Sequence, residues 1–181
     1  MFTLKDIEYN ICIASYPRSG NTFLRNIFFD VFGLFSWNNY HRYIFLRETL
    51  SHPMVKKRDR FFLNDELHRP EDLLDYMPCQ IIKTHDLPDN NREFLAREPF
   101  IICIIRDGRD AVVSEAHHRS NIVAPGTPYD ENLHDAITAP GGSHFGGWSA
   151  NVKAWIARAD LVFHFEQLIA DPVRCIEKLS S

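Results

Sequence analysis

Three short segments of this 181-residue chain carry side chains that suit the binding of phosphate and the transfer of a charged group. The first segment is Ser-Tyr-Pro-Arg-Ser-Gly-Asn-Thr at residues 15–22, which lies between two apolar runs. Its glycine permits a close backbone approach, and the first turn of a following helix would present unpaired amide groups to an anion. We therefore predict a phosphate-binding loop that joins a strand to a helix.

This loop lacks the pattern of a magnesium–ATP loop, which requires Gly-x-x-x-x-Gly-Lys-Ser/Thr. Ser15 stands five residues before Gly20, Asn21 takes the place of the lysine, and the cation is Arg18, inside the loop. Taken alone, the segment also fits an ordinary strand-to-helix loop with a solvated arginine. The pattern favours a phosphorylated ligand other than magnesium–ATP.

The second segment is Ile-Ile-Lys-Thr-His at residues 81–85. Lys83 and His85 are two residues apart at the end of a short strand, so their side chains point to the same side. A histidine there suits a general base, and a lysine beside it suits the stabilisation of negative charge as a bond breaks. A polar strand end with a solvated lysine and a capping histidine is the alternative.

The third segment begins at Arg106, directly after an apolar strand, and reaches Ser114 two helical turns later. Both side chains could bind one phosphate, the arginine by a bidentate contact and the serine by its hydroxyl. Asp107 is expected to cap the helix, although a magnesium-binding carboxylate at a strand end is a rival interpretation. His117 and His118 are adjacent on this helix and point apart, which makes them a poor metal-binding pair.

The composition limits the classes of function. Hydrophobic residues make up 45% of the chain, which fits one globular domain, and a net charge of −4 argues against a nucleic-acid partner. No apolar run is long enough for a transmembrane helix, and the N-terminus lacks the apolar core of a signal peptide. The four cysteines have no metal-like spacing and fit a reducing compartment, so we expect a cytoplasmic protein. Because it has no long apolar run, we expect no stable membrane insertion.

Strand and helix patterns alternate along the chain, which predicts an α/β fold with a mostly parallel sheet covered by helices. In such sheets, ligands bind at the carboxyl ends of the strands. Residues 36–79 are expected to form helices and loops outside the sheet, and residues 119–147 a long irregular loop, both on the acceptor side. Strands are predicted at 9–15, 80–83, 99–105 and 161–165, and helices at 21–32, 90–97, 107–118, 148–158 and from 171.

Together these segments resemble the PAPS-dependent sulfotransferase family, of the cytosolic type. The loop at 15–23 is similar to its 5′-phosphosulfate loop, Lys83-Thr-His85 to its catalytic base segment, and 106–114 to its 3′-phosphate site. Residues 147–155, 163–166 and 171–172 continue the match in the family's order. The resemblance implies one domain over residues 1–181, with a three-layer fold of the P-loop type.

The resemblance also implies contacts with both ends of the donor, 3′-phosphoadenylyl sulfate (PAPS). Arg18 stands where a lysine is usual and would stabilise charge on the leaving phosphate. Phe23 replaces a tryptophan that stacks on adenine, and Phe165 replaces a tyrosine nearby. Arg106 and Ser114 would hold the 3′-phosphate. The implied donor-binding residues are Arg18, Ser19, Gly20, Asn21, Thr22, Phe23, Arg106, Ser114 and Phe165.

By the same resemblance, the activity is the sulfation of a small-molecule, lipid or glycan acceptor, with adenosine 3′,5′-bisphosphate (PAP) as product. His85 would take the proton from a hydroxyl or amine, while Lys83 and Arg18 stabilise charge. A sulfuryl group carries less charge than a phosphoryl group, so fixed cations and amides can suffice without a metal. Direct in-line transfer is expected.

Two departures from the family pattern leave alternatives open. Gln167 replaces an aspartate, and the chain ends at Ser181, before the basic Arg-Lys-Gly segment that closes over the 3′-phosphate in the family. Other cations could serve there, or the chain could be a non-catalytic PAP/PAPS-binding remnant. A divergent P-loop kinase is a third interpretation. The basic residues nearest in sequence are Arg109, Arg119, Arg174 and Lys178.

Overall fold

The structure is a computed structural model that describes residues 10–32, 34, 36–38, 61–63, 66–68, 80–138 and 145–179. The strands are β1 (Asn10–Ser15), β2 (Ser36–Asn38), β3 (Phe61–Leu63), β4 (Glu66–His68), β5 (Gln80–Thr84), β6 (Phe100–Ile105) and β7 (Leu161–His164). The α-helices are α1 (Asn21–Phe32), α2 (Arg92–Leu95), α3 (Gly108–His118), α4 (Tyr129–Thr138), α5 (Trp148–Ile156), α6 (Phe165–Ala170) and α7 (Pro172–Glu177). A 3₁₀ turn (Pro88–Asn91) precedes α2, and a π-helical turn (Arg119–Val123) follows α3.

The main sheet has five strands in the order β2-β5-β1-β6-β7, and all of its pairings are parallel. Ile13 of the central strand pairs with Lys83 on one side and with Ile102 on the other. Parallel strands end at one edge of a sheet, so the segments that follow β1, β5 and β6 meet there. The predicted α/β fold of the P-loop type is confirmed.

The core lies on both faces of this sheet because successive residues of a strand point to opposite sides. Ile13 packs on the face that meets α1, α6 and α7, in a cluster with Leu24 and Leu168. Cys12 packs on the other face, in a cluster with Trp155 of α5. Helices therefore cover both faces, which gives the three layers. The assignment of residues 1–181 to one domain stays a prediction.

Burial makes two of the cysteines poor nucleophiles. Cys12 is fully enclosed and Cys103 is 1% exposed, and burial raises the pKa of each thiol to about 12. A thiol with so high a pKa carries almost no thiolate at neutral pH and behaves as a small apolar side chain.

The expectation that residues 36–79 lie outside the main sheet was wrong at Ser36–Asn38, which form its edge strand. The guanidinium of Arg25 on α1 donates to the Ser36 hydroxyl and, at 3.3 Å, to the Ser36 carbonyl oxygen. The strand itself pairs with Ile81–Lys83 of β5. Phe61–Leu63 and Glu66–His68 pair as an antiparallel ribbon rather than as helices and loops. Most of 39–79 lies outside the described residues.

The expectation of an irregular loop over 119–147 was also wrong, because Tyr129–Thr138 form a helix. The helix is anchored by the buried Asn132, whose Nδ2 lies 2.9 Å from Ser120 Oγ and 2.8 Å from Thr127 Oγ1. These side-chain hydrogen bonds stabilise a segment whose flanking glycines and prolines suggested a loop. Residues 139–144 lie outside the described part.

Several boundaries and one buried face also differ from expectation. The segment 90–97 divides into the 3₁₀ turn and α2, α5 ends at Ile156, and β7 ends at His164 with Phe165 starting the next helix. The spacing of Trp148, Val152, Trp155 and Ile156 predicts one apolar face, but Ile156 is 46% exposed and does not share the buried face of Val152 and Trp155. None of the described helices is long and apolar enough to cross a membrane.

Candidate active site

The loop after β1 is tightly wound and holds two residues in the left-handed region. Arg18 has φ +64° and Gly20 has φ +99°. A Cβ at Gly20 would collide with the Phe165 ring, so this position requires glycine on two counts. Arg18 carries a Cβ, so its left-handed backbone conformation is strained, by on the order of 1–3 kcal/mol. Such strain is most often retained where a side chain must be held in a working position.

The side chains of Asn21 and Ser19 are turned into the protein. Asn21, which is 4% exposed, donates from Nδ2 to the Ile13 carbonyl at 3.2 Å and to Ser15 Oγ at 3.1 Å. It therefore braces the loop from the position where an ATPase has its lysine. The Ser19 hydroxyl is enclosed and has no hydrogen-bond partner among the described residues. An anion could meet these two residues only through their backbone amides.

A network joins the loop to the segment after β6. Arg18 Nε donates to Ser114 Oγ on α3 at 3.1 Å, and Arg106 donates to the Arg18 carbonyl oxygen at 3.0 Å. The Arg106 guanidinium also lies over the Phe165 ring, 4.8 Å from its centroid. The Trp148 indole donates to the Arg106 carbonyl at 3.0 Å and fixes the strand end. The first and third predicted segments thus form one continuous site.

His85 is held in one orientation by its surroundings. Its Nδ1 lies 2.8 Å from the Ser15 carbonyl oxygen, and because a carbonyl can only accept, Nδ1 carries the hydrogen. The lone pair of the neutral ring is then on Nε2. The ring meets Phe145 edge-on at 5.7 Å, and Asn151 donates to the His85 carbonyl at 2.7 Å.

The environment keeps this imidazole neutral. Removal of the ring from water, followed by the nearby Lys83 cation, lowers the pKa of His85 to about 3. The ring is therefore unprotonated across the physiological range and keeps its Nε2 lone pair free, and in this environment it is a weaker base than an ordinary imidazole.

Two adjoining cavities at this edge of the sheet collect the predicted residues. The first, of about 660 Å³, contains His85 and Lys83 together with the loop, and the second, of about 420 Å³, contains Ser114. Both are lined by Arg18 and Arg106. Ser19 lines neither cavity. The first cavity also collects Gly20, Asn21, Thr22, Phe23 and Phe165.

Sequence reasoning missed two polar residues of the site. Asn151 is completely buried and donates to the carbonyls of His85 and Phe145, at 2.7 and 3.2 Å. The sequence did contain a signal for Asn151, because it lies on the same helical face as the apolar Trp148 and Trp155, where a polar residue is unusual. Glu115 lines the first cavity, and burial raises the pKa of its carboxyl group. Nothing in the spacing of acidic residues marked it.

Asp107 does not offer a free carboxylate. It caps α3 by accepting from the Arg109 amide at 2.9 Å, and its other oxygen accepts from the Arg109 guanidinium at 2.7 Å. The Arg109 side chain holds the pKa of Asp107 at about 2. This geometry supports the capping interpretation over the magnesium one. No group of three or more metal-ligating side chains occurs within the described ranges.

The family model of the sulfotransferase domain matches residues 8–181, nearly the whole chain. The chain belongs to the sulfotransferase domain family. Among solved structures, mouse sulfotransferase SULT7A1 complexed with PAP is similar, with a TM-score of 0.64 and 21% sequence identity. The match covers 96% of this chain and 58% of the mouse chain, and at this identity it shows the fold alone. No curated protein sequence matches the chain.

Proposed function

We propose that this sulfotransferase domain moves a sulfuryl group from PAPS to a hydroxyl or amine of an acceptor. The observation that carries the proposal is that Arg18, Lys83 and His85 line one cavity at the carboxyl edge of the sheet. A base with a lone pair and two cations are the groups that such a transfer needs. They come from two separate segments of the chain, and family membership supports the same chemistry.

The donor would lie across the two cavities. Backbone amides of the loop and the Thr22 hydroxyl would hold the 5′-phosphate at the start of α1, where the helix adds partial positive charge. Arg106 and Ser114 would hold the 3′-phosphate in the second cavity. The exposed ring of Phe23 and the ring of Phe165 offer surfaces for the adenine.

In the reaction, His85 Nε2 takes the proton of the acceptor hydroxyl as its oxygen attacks the sulfur. The bond between sulfur and the 5′-phosphate oxygen breaks in line with the attack, and PAP leaves. Arg18 and Lys83 offset the charge that moves onto the phosphate and across the sulfuryl oxygens. These fixed charges are the basis for proposing that no metal is required.

The acceptor would enter the first cavity beside His85. Phe145 and Val123 contribute apolar surface there, while Glu115 and Arg119 contribute polar groups. This mixture suits a small acceptor that combines an apolar body with polar substituents, such as a phenol or an alcohol. A lipid headgroup or glycan presents hydroxyls of the same chemistry.

The experiment is to incubate the protein with radiolabelled PAPS, a chelator and a panel of phenols, alcohols and amines. Label recovered in an acceptor supports the proposal. PAP binding without label transfer to any acceptor would favour a non-catalytic binding module. Magnesium-dependent ATP binding that is lost in Asp107→Ala would favour a kinase.

A further inference from the structure

A row of polar residues extends the second cavity beyond Ser114. His117, His118 and Asn121 follow Ser114 at spacings of three, four and seven residues, so His117 and His118 flank, on opposite sides, the face that Ser114 and Asn121 share. The face continues from α3 into the π-helical turn that contains Asn121. All four residues line the 420 Å³ cavity together with Arg18 and Arg106.

The fixed charges of this cavity fall short of those of a phosphate. Arg18 and Arg106 contribute two positive charges, and Asp110, whose carboxylate lies 3.9 Å from the Arg106 guanidinium, removes one. A phosphate monoester carries a charge of about −1.5 to −2 near neutral pH. Some guanidinium donors are also committed, since Arg18 Nε binds Ser114 and Arg106 binds the Arg18 carbonyl. Further hydrogen-bond donors would therefore strengthen the binding of a phosphate here.

His117 and Asn121 are placed to supply them. The His117 ring lies against the Tyr129 ring, with centroids 4.3 Å apart and an interplanar angle of 30°, so an exposed imidazole is held in place. The Asn121 side chain is exposed and makes no hydrogen bond within the described part of the chain. His118 faces Glu115 at 3.9 Å instead and lines both cavities.

We propose that His117 and Asn121 are additional ligands of the donor's 3′-phosphate, through an imidazole N–H and the amide N–H. The inference rests on the proposed function, because it assumes that Arg106 and Ser114 bind that phosphate. It makes α3 and the π-helical turn one binding surface. The selectivity for a 3′-phosphorylated nucleotide then comes partly from residues outside the family-like segment 106–114.

The test compares two nucleotides that differ only at the 3′ position. Calorimetry measures the dissociation constants of PAP and of adenosine 5′-phosphate for the wild type, His117→Ala, Asn121→Ala and the double variant. A hydrogen bond to a charged group contributes enough that each single variant should weaken PAP binding by about tenfold. Binding of adenosine 5′-phosphate should be unchanged.

Two further variants make the outcomes distinguishable. Ser114→Ala should reduce the preference for PAP, and His134→Ala, on the exposed face of α4, should not. If Ser114→Ala reduces the preference while the double variant retains it, His117 and Asn121 are not ligands, and the proposed function stands. If the wild type binds both nucleotides equally, the 3′-phosphate site itself is wrong, and this inference with it.

Discussion

Arg18 in the loop after β1 donates to the hydroxyl of Ser114 on α3, over a distance of 3.1 Å and across 96 residues of chain. The backbone carbonyl of Arg18 is in turn held by Arg106. The proposed 5′-phosphate loop and the proposed 3′-phosphate site are therefore joined directly by these hydrogen bonds. A change at Arg18 should affect both ends of the donor.

Replacement of Arg18 should separate stability from activity. Arg18→Gly and Arg18→Ala both remove the guanidinium, so both should lose sulfuryl transfer. Only glycine adopts φ +64° without strain. The free energy of unfolding of Arg18→Gly should therefore be about 1 kcal/mol higher than that of Arg18→Ala. In urea unfolding, Arg18→Gly should have the higher midpoint concentration. Equal stability of the two variants would show that residue 18 is not strained.

Gly20→Ala should abolish donor binding, and Gly126→Ala is its matched control. Both glycines have a positive φ, of +99° and +89°. An added Cβ meets the Phe165 ring at Gly20 but nothing within 4 Å at Gly126. Gly20→Ala should be the less stable by a further ~1–3 kcal/mol, because overpacking adds to the same backbone strain. Urea unfolding and PAP calorimetry measure both effects, and similar behaviour of the two variants would contradict the contact.

The lowered pKa of His85 predicts a specific pH dependence of stability. Because the pKa is about 3 in the folded protein and near 6.5 when exposed, the unfolded state takes up a proton first as the pH falls. The stability of the wild type therefore falls between pH 6.5 and pH 3. His85→Gln lacks this titration, so the difference in unfolding free energy between the two proteins should change by about 2 kcal/mol from pH 7 to pH 5.

Urea unfolding at both pH values measures this change. His134→Gln is the control, because the side chain of His134 is 73% exposed. A difference between wild type and His85→Gln that stays constant with pH would mean that His85 is not held neutral.

Asn151 should matter for turnover although it touches no proposed ligand. Its amide supports the backbone of His85 and of Phe145 from a fully buried position. Asn151→Ala leaves two partly buried carbonyls without this donor and should cost about 1–3 kcal/mol of stability. We expect kcat to fall with it, because His85 loses its orientation. Asn90→Ala, at an exposed asparagine, is the control for stability and for kcat. If Asn151→Ala is destabilised but keeps the wild-type kcat, the role of Asn151 is structural only.

The sequence predicted those parts of the fold that depend on local pattern. The continuous apolar runs of β1 and β6 and the residue types at their ends indicated the parallel sheet and the position of the candidate site. The helix cap at Asp107 was also predicted, because a capping residue acts within its own turn.

The remaining features depend on contacts between distant segments. The edge strand at Ser36–Asn38 pairs with β5, and Asn132 anchors helix α4 by a hydrogen bond to Ser120. The bond between Arg18 and Ser114 joins residues that are 96 positions apart in the chain. No local periodicity encodes such contacts.

The central claim is that His85 is the base of a sulfuryl transfer, and single-turnover kinetics test it most directly. PAPS is bound first, excess acceptor is added in the presence of a chelator, and labelled product is followed in the wild type and in His85→Ala. Loss of a general base should slow the transfer by at least about a hundredfold, while the dissociation constant for PAPS stays the same. Transfer at the wild-type rate in His85→Ala would contradict the account.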